Sequence, residues 1–219
     1  DLRTPLTSIS GNASVLINNS GSLDENKKMQ LYEVIYDDSL WLINLVENLL
    51  SVTRIEDGKM NLHLETELIE EVINEALNHI SHKKDEHRIE VKANDEFILA
   101  KIDAGLIIQV IINIVDNAIK YTPKGSMISI ETFKHKDFVE IQIADDGAGI
   151  SDKDKEKLFE MFYTVKHEVI DGRRGLGLGL ALCKAIIVAH GGNIAVKDNI
   201  PHGTIFSFTL PIKEVEIHE

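Results

Sequence analysis

Three short stretches of the chain carry residue types whose spacing suits chemistry on a charged ligand. Asn113, Asn117 and Lys120 fall at i, i+4 and i+7, which puts two carboxamides and an ammonium on one helical face. Carboxamide oxygens are ligands for a hard cation, and a lysine offers a point charge to a phosphate. The same residues equally suit the solvated side of an amphipathic helix, since Ile108, Ile111, Val115 and Ala118 form its apolar side. Asp145-Asp146-Gly147-Ala148-Gly149-Ile150 follows a strand-like run. Glycines two apart allow a sharp turn and close approach of backbone to a flat ligand. Asp145, at the strand end, could accept a hydrogen bond from an exocyclic amine, although an ordinary turn uses the same residue types. Gly175-Leu176-Gly177-Leu178-Gly179-Leu180 opens a helix just after Arg173 and Arg174. Its glycines permit hinge motion, the helix N-terminus offers free N–H groups to anions, and the arginines could reach a terminal phosphate. No glycine is followed by Lys-Ser or Lys-Thr, and neither glycine cluster has the third glycine of a dinucleotide-binding turn. Any nucleotide site here is built in another way.

The elements that must position these stretches divide by periodicity. Residues 1–60 read as a helical hairpin. Leu2, Leu6, Ile9, Ala13 and Leu16 form one apolar seam; Asn19-Ser20-Gly21-Ser22 breaks it; Asp24 caps a second helix reaching about Asp57 and stopped by Gly58. The second seam is Leu31, Ile35, Asp38, Leu42, Leu45, Leu49 and Val52. Two helices with one seam each cannot enclose a core, so pairing of two copies into an antiparallel four-helix bundle is expected. The second helix is much longer than the first, so the first is expected to continue upstream of Asp1.

Residues 61–213 alternate strand and helix signals, leaving 214–219 as a tail. Strands are predicted at 61–65, 88–93 and 97–102, a hairpin at 128–133 and 138–144, and a last pair at 193–197 and 204–210. Helices are predicted at 68–80, entered through Thr66 or Glu67, at 103–120 behind an Asp103 cap, at 153–159 and at 178–189, with a polar loop over 163–174. Strands joined by tight turns imply a mostly antiparallel sheet with helices on one face, a two-layer α/β sandwich. The fold class is therefore α+β.

Composition bounds the partners. The chain has 219 residues, 23 Lys and Arg against 36 Asp and Glu, and a net charge of −13. A broad basic face for nucleic acid or anionic lipid is disfavoured, so no nucleic acid and no direct membrane contact are expected. One cysteine excludes an internal disulfide. No uninterrupted apolar run reaches the ~18 residues that cross a bilayer, and no signal peptide opens the chain. His79, His82 and His87 sit in a Lys/Glu-rich segment and read as solvated, His190 as structural, and Cys183 as a core residue.

Taken in order, the asparagine helix face, the strand-end Asp-x-Gly-x-Gly, the polar loop and the Gly-x-Gly-x-Gly helix start resemble the N, G1, F and G2 boxes of sensor histidine kinases. Leu158-Phe159-Glu160-Met161-Phe162 matches the F box and Gly203-Thr204 the final box. Asp1-Leu2-Arg3-Thr4-Pro5-Leu6 looks like the H box without its first residue, and 49–59 resembles the close of the second dimerisation helix. The likeness covers residue 1 to about 212, and its flavour is similar to the Kdp-type potassium-sensing subgroup. It implies a dimerising helical hairpin followed by an ATP-binding sandwich of the histidine-kinase (Bergerat) type, with ATP and Mg²⁺ as ligands. By this resemblance Asp145 recognises the adenine amino group, and Asn117, helped by Asn113, places the metal. Lys120 contacts phosphate and Tyr121 the nucleoside edge. Residues 150–179 form a lid pivoting on Gly175, Gly177 and Gly179, with Arg173 and Arg174 on the phosphates. Gly147, Gly149, Ile150, Phe162, Leu176, Leu178 and Thr204 complete the nucleotide site. The implied partners are a second copy through residues 1–60 and a response-regulator receiver domain, in the cytoplasmic portion of a membrane-anchored sensor.

The acceptor histidine of such kinases falls immediately before Asp1, and all nine histidines here lie at 63 or beyond. The chain as written is thus expected not to phosphorylate itself. Asp1 would orient or deprotonate that imidazole, and Thr4, one turn on, would orient water for dephosphorylation of the regulator. Two other readings stay open: a hydrolytic ATPase of the gyrase and Hsp90 kind, which carries Glu where Asn113 stands, and a nucleotide-binding dimerisation module without catalysis.

Overall fold

Asp24 ends the first turn of the chain as a helix cap. In the computed structural model, which describes residues 2–19, 21–56, 62–80, 87–92, 97–165 and 177–212, its Oδ1 accepts the Lys27 N–H at 2.7 Å. The cap separates α1 (Arg3–Asn19) from α2 (Glu25–Glu56). The chain falls into two compact units, Asp1–Ser51 and Val52–Glu219. In the first, Leu16 and Leu45 are buried seam residues. A second apolar stripe on α2 remains exposed: Met29, Tyr36, Ile43 and Leu50 recur every seven residues, with Tyr32 and Val46 three places on from two of them.

The second unit holds β1 (Glu65–Leu68), α3 (Ile69–His79), β2 (Arg88–Lys92), β3 (Leu99–Ile102), α4 (Ala104–Tyr121), β4 (Met127–Lys134), β5 (Phe138–Asp145), α5 (Asp152–Lys155), α6 (Gly179–Ala189), β6 (Ile194–Asp198) and β7 (Thr204–Pro211). A five-stranded sheet runs β2-β4-β5-β7-β6, and β1 pairs with β3 in a separate two-stranded sheet. β4–β5, β5–β7 and β7–β6 are antiparallel, while β2 lies parallel to β4. Helices α3, α4 and α6 lie side by side, α4 against β4 and β5 and α6 against β6 and β7. The result is the expected α+β architecture, a helical hairpin followed by a two-layer sandwich.

Several predicted boundaries move. Thr66 and Glu67 belong to a strand, not a helix entry, because β1 is needed to pair with β3, Thr66 opposite Lys101 and Glu67 opposite Ala100. α3 then starts without a side-chain cap; the Ile69 N–H donates instead to Ile98 O at 3.0 Å. The helix predicted at 153–159 is a single turn, capped by Ser151 Oγ on the Asp154 N–H, that breaks into tighter turns. α4, with mean hydropathy 1.3 over 18 residues, is long and apolar enough on average to pass for a membrane span. That corrects the reading from uninterrupted apolar runs, which its asparagines and Asp116 conceal. Its apolar side, with Ile107, Ile111, Ile114 and Val115, covers the sheet.

The sheet's inward rows place the site. On β5, Val139, Ile141, Ile143 and Asp145 are the buried alternates; on β7 they are Thr204, Phe206, Phe208 and Leu210. Ala144 pairs with Ile205, so an acid and a threonine end neighbouring core rows beside the C-terminus of α4.

Candidate functional site

Those two polar side chains sit at the floor of a cavity of about 480 Å³, within the range of small-molecule sites. Asn117 and Tyr121 reach it from α4, Ile150 and Tyr163 from the segment after β5, and Gly177 and Gly179 from the start of α6. Asp145 is 7% exposed. Its Oδ1 accepts the backbone N–H of Gly147 at 2.9 Å and of Thr204 at 3.2 Å. Oδ2 accepts from no donor among the described residues. Burial pushes the Asp145 carboxyl above its usual range, the two N–H donors pull it back, and the charge of Asp146 adds to the rise.

The turn between β6 and β7 clamps this acid. Asn199 Nδ2 donates to Asp145 O at 2.7 Å, and His202 Nδ1 lies 2.8 Å from Asp146 O. Gly203, at φ +116, brings its Cα so near that a Cβ would stand 2.0 Å from Asp145 O. Across the cavity the Phe162 N–H donates to Gly177 O at 2.9 Å. Both residues have positive φ, and a Cβ on Gly177 would stand 2.3 Å from Tyr163 O. Tyr163 OH is anchored on Asp154 Oδ1 at 2.6 Å, which also raises the pKa of that phenol.

Of the residues singled out from the sequence, Asn117, Tyr121, Asp145, Gly149, Ile150, Gly177, Gly179 and Thr204 line the cavity. Gly147 stands behind Asp145 as its donor. Asn113 lies one turn before Asn117; a Cβ on Gly179 would meet its Oδ1 at 3.4 Å, and its Nδ2 is buried beside the Cys183 thiol, with no nitrogen or oxygen partner among the described residues. Lys120 Nζ stands 5.1 Å from the centroid of the Tyr121 ring. The Phe162 ring is 63% exposed and outside the cavity lining, and Leu178 is a core residue at the start of α6. Thr4 is an exposed residue of α1. Asp1, Arg173, Arg174, Gly175 and Leu176 lie outside the described residues.

Sequence reasoning passed over the clamp residues Asn199 and His202, whose only local signal is the turn composition before Gly203. It also passed over Thr122, just beyond the predicted helix end, which lines the cavity and is buried. His87 corrects the expectation of a solvated histidine. It is buried because Arg88 opens β2 with its N–H on Ser126 O at 3.0 Å, which draws the preceding residue against Thr122, just past the end of α4. His190 bridges two helices, with Nδ1 2.8 Å from Ile186 O and Nε2 accepting the Asp103 N–H at 3.1 Å. Cys183 is fully buried, and burial pushes its thiol up to about 12.

Residues 102–214 match the family described as histidine kinase-, DNA gyrase B- and HSP90-like ATPase, and residues 1–58 match the His Kinase A (phospho-acceptor) domain. The chain belongs to the sensor histidine kinases. This kinase chain is 43% identical over 211 residues to the sensor protein KdpD of Clostridium acetobutylicum, covering 96% of itself and 23% of that protein. It therefore spans about a quarter of that relative's length. Its fold is similar to the histidine kinase AdeS of Acinetobacter baumannii, with TM-score 0.78 and 26% identity over 97% of this chain and 98% of that one. It is also similar to histidine kinase ThkA solved in complex with response regulator protein TrrA, with TM-score 0.72 and 26% identity over 97% of this chain and 59% of that one.

Proposed function

We propose that the chain is the kinase core of a two-component sensor, binding Mg²⁺-ATP in the 480 Å³ cavity and passing the γ-phosphoryl group to a histidine and then to a regulator aspartate. The observation that carries this reading is Asp145, an acid ending a core row of β5, with one oxygen held by two backbone donors. Its other oxygen suits the exocyclic amine of adenine. Ile150, Leu158 and Phe206 give the cavity apolar sides that suit a purine ring.

The residues also suit the rest of the ligand. Gly177 and Gly179 bring bare backbone to the cavity wall, packed against Tyr163 O and Asn113 Oδ1 respectively, and the free N–H groups at the start of α6 face anions well. Asn117 lines the cavity and Asn113 Oδ1 lies beside Gly179 in its wall; their carboxamide oxygens would hold magnesium. Neutral amides suffice there because the phosphates bring negative charge. When bound, the ion neutralises charge on the transferring group. Lys120 and the arginine pair at 173 and 174 add cationic contacts to phosphate. The chain's own part is to position the reactants and exclude water.

The exposed heptad stripe on α2 supports pairing of two copies through residues 1–60. The partner receiver domain is proposed from the likeness to the ThkA–TrrA complex, the Kdp-type assignment from the likeness to KdpD, and a cytoplasmic placement from both. On this reading Asp1 orients the accepting imidazole and Thr4 orients water for dephosphorylation of the regulator.

The test uses two chains, this one and one carrying a histidine immediately before Asp1. Calorimetric titration with Mg²⁺-ATP should give heat in both, and only the second should gain acid-labile, base-stable phosphate. Sustained phosphate release without labelling would favour the hydrolase reading, and absence of heat would overturn nucleotide binding altogether.

A further inference from the structure

His87 is a buried side chain, 8% exposed, that the proposed chemistry does not use. Its Nε2 lies 3.0 Å from Thr122 Oγ1. Thr122 has one hydroxyl proton and gives it to Ala118 O at 2.7 Å. Oγ1 must therefore accept from His87, so Nε2 carries the imidazole proton. Nδ1 is left as a bare acceptor, buried and without a partner among the described residues. A buried ring nitrogen with nothing to bond is unfavourable. What the fold gains is one oriented hydrogen bond to a threonine of the cavity wall.

That threonine is well placed to matter. Its hydroxyl is held from both sides, by the α4 carbonyl and by the histidine, which fixes χ1. A Cβ on Gly147 would stand 2.8 Å from Thr122 Cγ2 and 2.9 Å from Asp145 Oδ1. The threonine methyl, the Gly147 turn and the acid therefore form one packed stack, and the Gly147 N–H is the shorter of the two bonds on Asp145 Oδ1.

We propose that His87 is a positioning residue for base recognition: its Nε2–H sets Thr122, and Thr122 sets the Gly147 turn that aims the Asp145 carboxylate. The proposal rests on the nucleotide reading above. His87 touches no ligand; it acts through a neighbour.

The test is titration of Mg²⁺-ADP into the chain and into His87→Phe, His87→Gln, Thr122→Val and the double variant His87→Phe/Thr122→Val, with melting temperatures alongside. Losing the bond should weaken ADP about three- to tenfold in His87→Phe. His87→Gln retains an N–H donor of similar reach and should recover affinity to within about twofold. Thr122→Val keeps the shape and removes the hydroxyl, so it should match His87→Phe. The double variant should bind no worse than either single one, because both remove the same link. Wild-type affinity in folded His87→Phe, losses that multiply in the double variant, or failure of His87→Gln to recover affinity while folded would each overturn the proposal. Should His87→Phe not fold, Thr122→Val decides on its own, since unchanged affinity there breaks the link. If the unaltered chain itself binds no ADP, it is the nucleotide reading that falls, and no variant is needed to see it.

Discussion

Asp145 occupies a position where its three row-mates on β5, Val139, Ile141 and Ile143, are aliphatic. Because burial raises its pKa, the native state holds this proton more tightly than the unfolded chain. Its contribution to stability is present in full below the unfolded value of 3.8 and is lost as pH rises through the raised native value. An amine donating to Oδ2 favours the ionised form, so nucleotide affinity should climb with pH across that same interval. Asp145→Asn keeps an oxygen for Gly147 and Thr204 but turns a donor toward the amine. It should bind ATP about 10- to 100-fold more weakly while melting no lower than wild type at pH 7 and losing the acid-side slope; calorimetry and thermal melts check both. Asp145→Ala strands two buried N–H groups and should lose about 2–5 kcal/mol in denaturant titrations. The two variants thereby separate a recognition role from a structural one. Among the described residues no cluster of acids, histidines and cysteines could hold a metal.

At the level of elements, the β6–β7 turn is as much a part of the site as the helix opposite. Gly203→Ala would drive a methyl into Asp145 O, in a backbone region that side chains avoid. It should destabilise the second unit by about 2–5 kcal/mol and weaken ATP with it, measurable by chemical denaturation and titration; unchanged stability would mean the clamp is dispensable. The sequence made some of this legible and hid the rest for identifiable reasons. Asp24 and Asp103 announce their helices because capping is local: each carboxylate accepts an N–H three residues on. The β4–β5 hairpin shows in its period-two pattern. The parallel pairing of β2 with β4 does not, since the choice of strand partner is made across the fold. The position of β1 and the burial of His87 are hidden likewise: a run rich in Lys and Glu looks solvated until Arg88 is seen paired with Met127. Asp145, Gly149 and Asn117, which line the cavity, were legible because the proposed chemistry demands their types. Thr122 and Asn199 were not, because they serve other residues.

Across the whole molecule, the two units present different surfaces. The second buries its apolar rows internally, whereas α2 in the first leaves Met29, Tyr36, Ile43 and Leu50 exposed at seven-residue intervals. A lone helix pair gains little from such a stripe, and a second copy would cover it. Tyr36→Glu with Ile43→Glu should convert a dimer to a monomer in light scattering while leaving Mg²⁺-ADP affinity within about twofold, since exposed substitutions in a single chain change stability by ~0.5 kcal/mol or less. A dimer that persists would place the interface elsewhere. The backbone contact between Phe162 and Gly177 has an evolutionary corollary. It ties together two points of the chain that lie fifteen residues apart in sequence, and closing a longer connection costs only about 0.6 kcal/mol per doubling. Added residues between those anchors, away from Tyr163 and the arginine pair, therefore weigh little on sheet or helix, so lineages can diversify, and engineers can splice in a reporter, without rebuilding the scaffold.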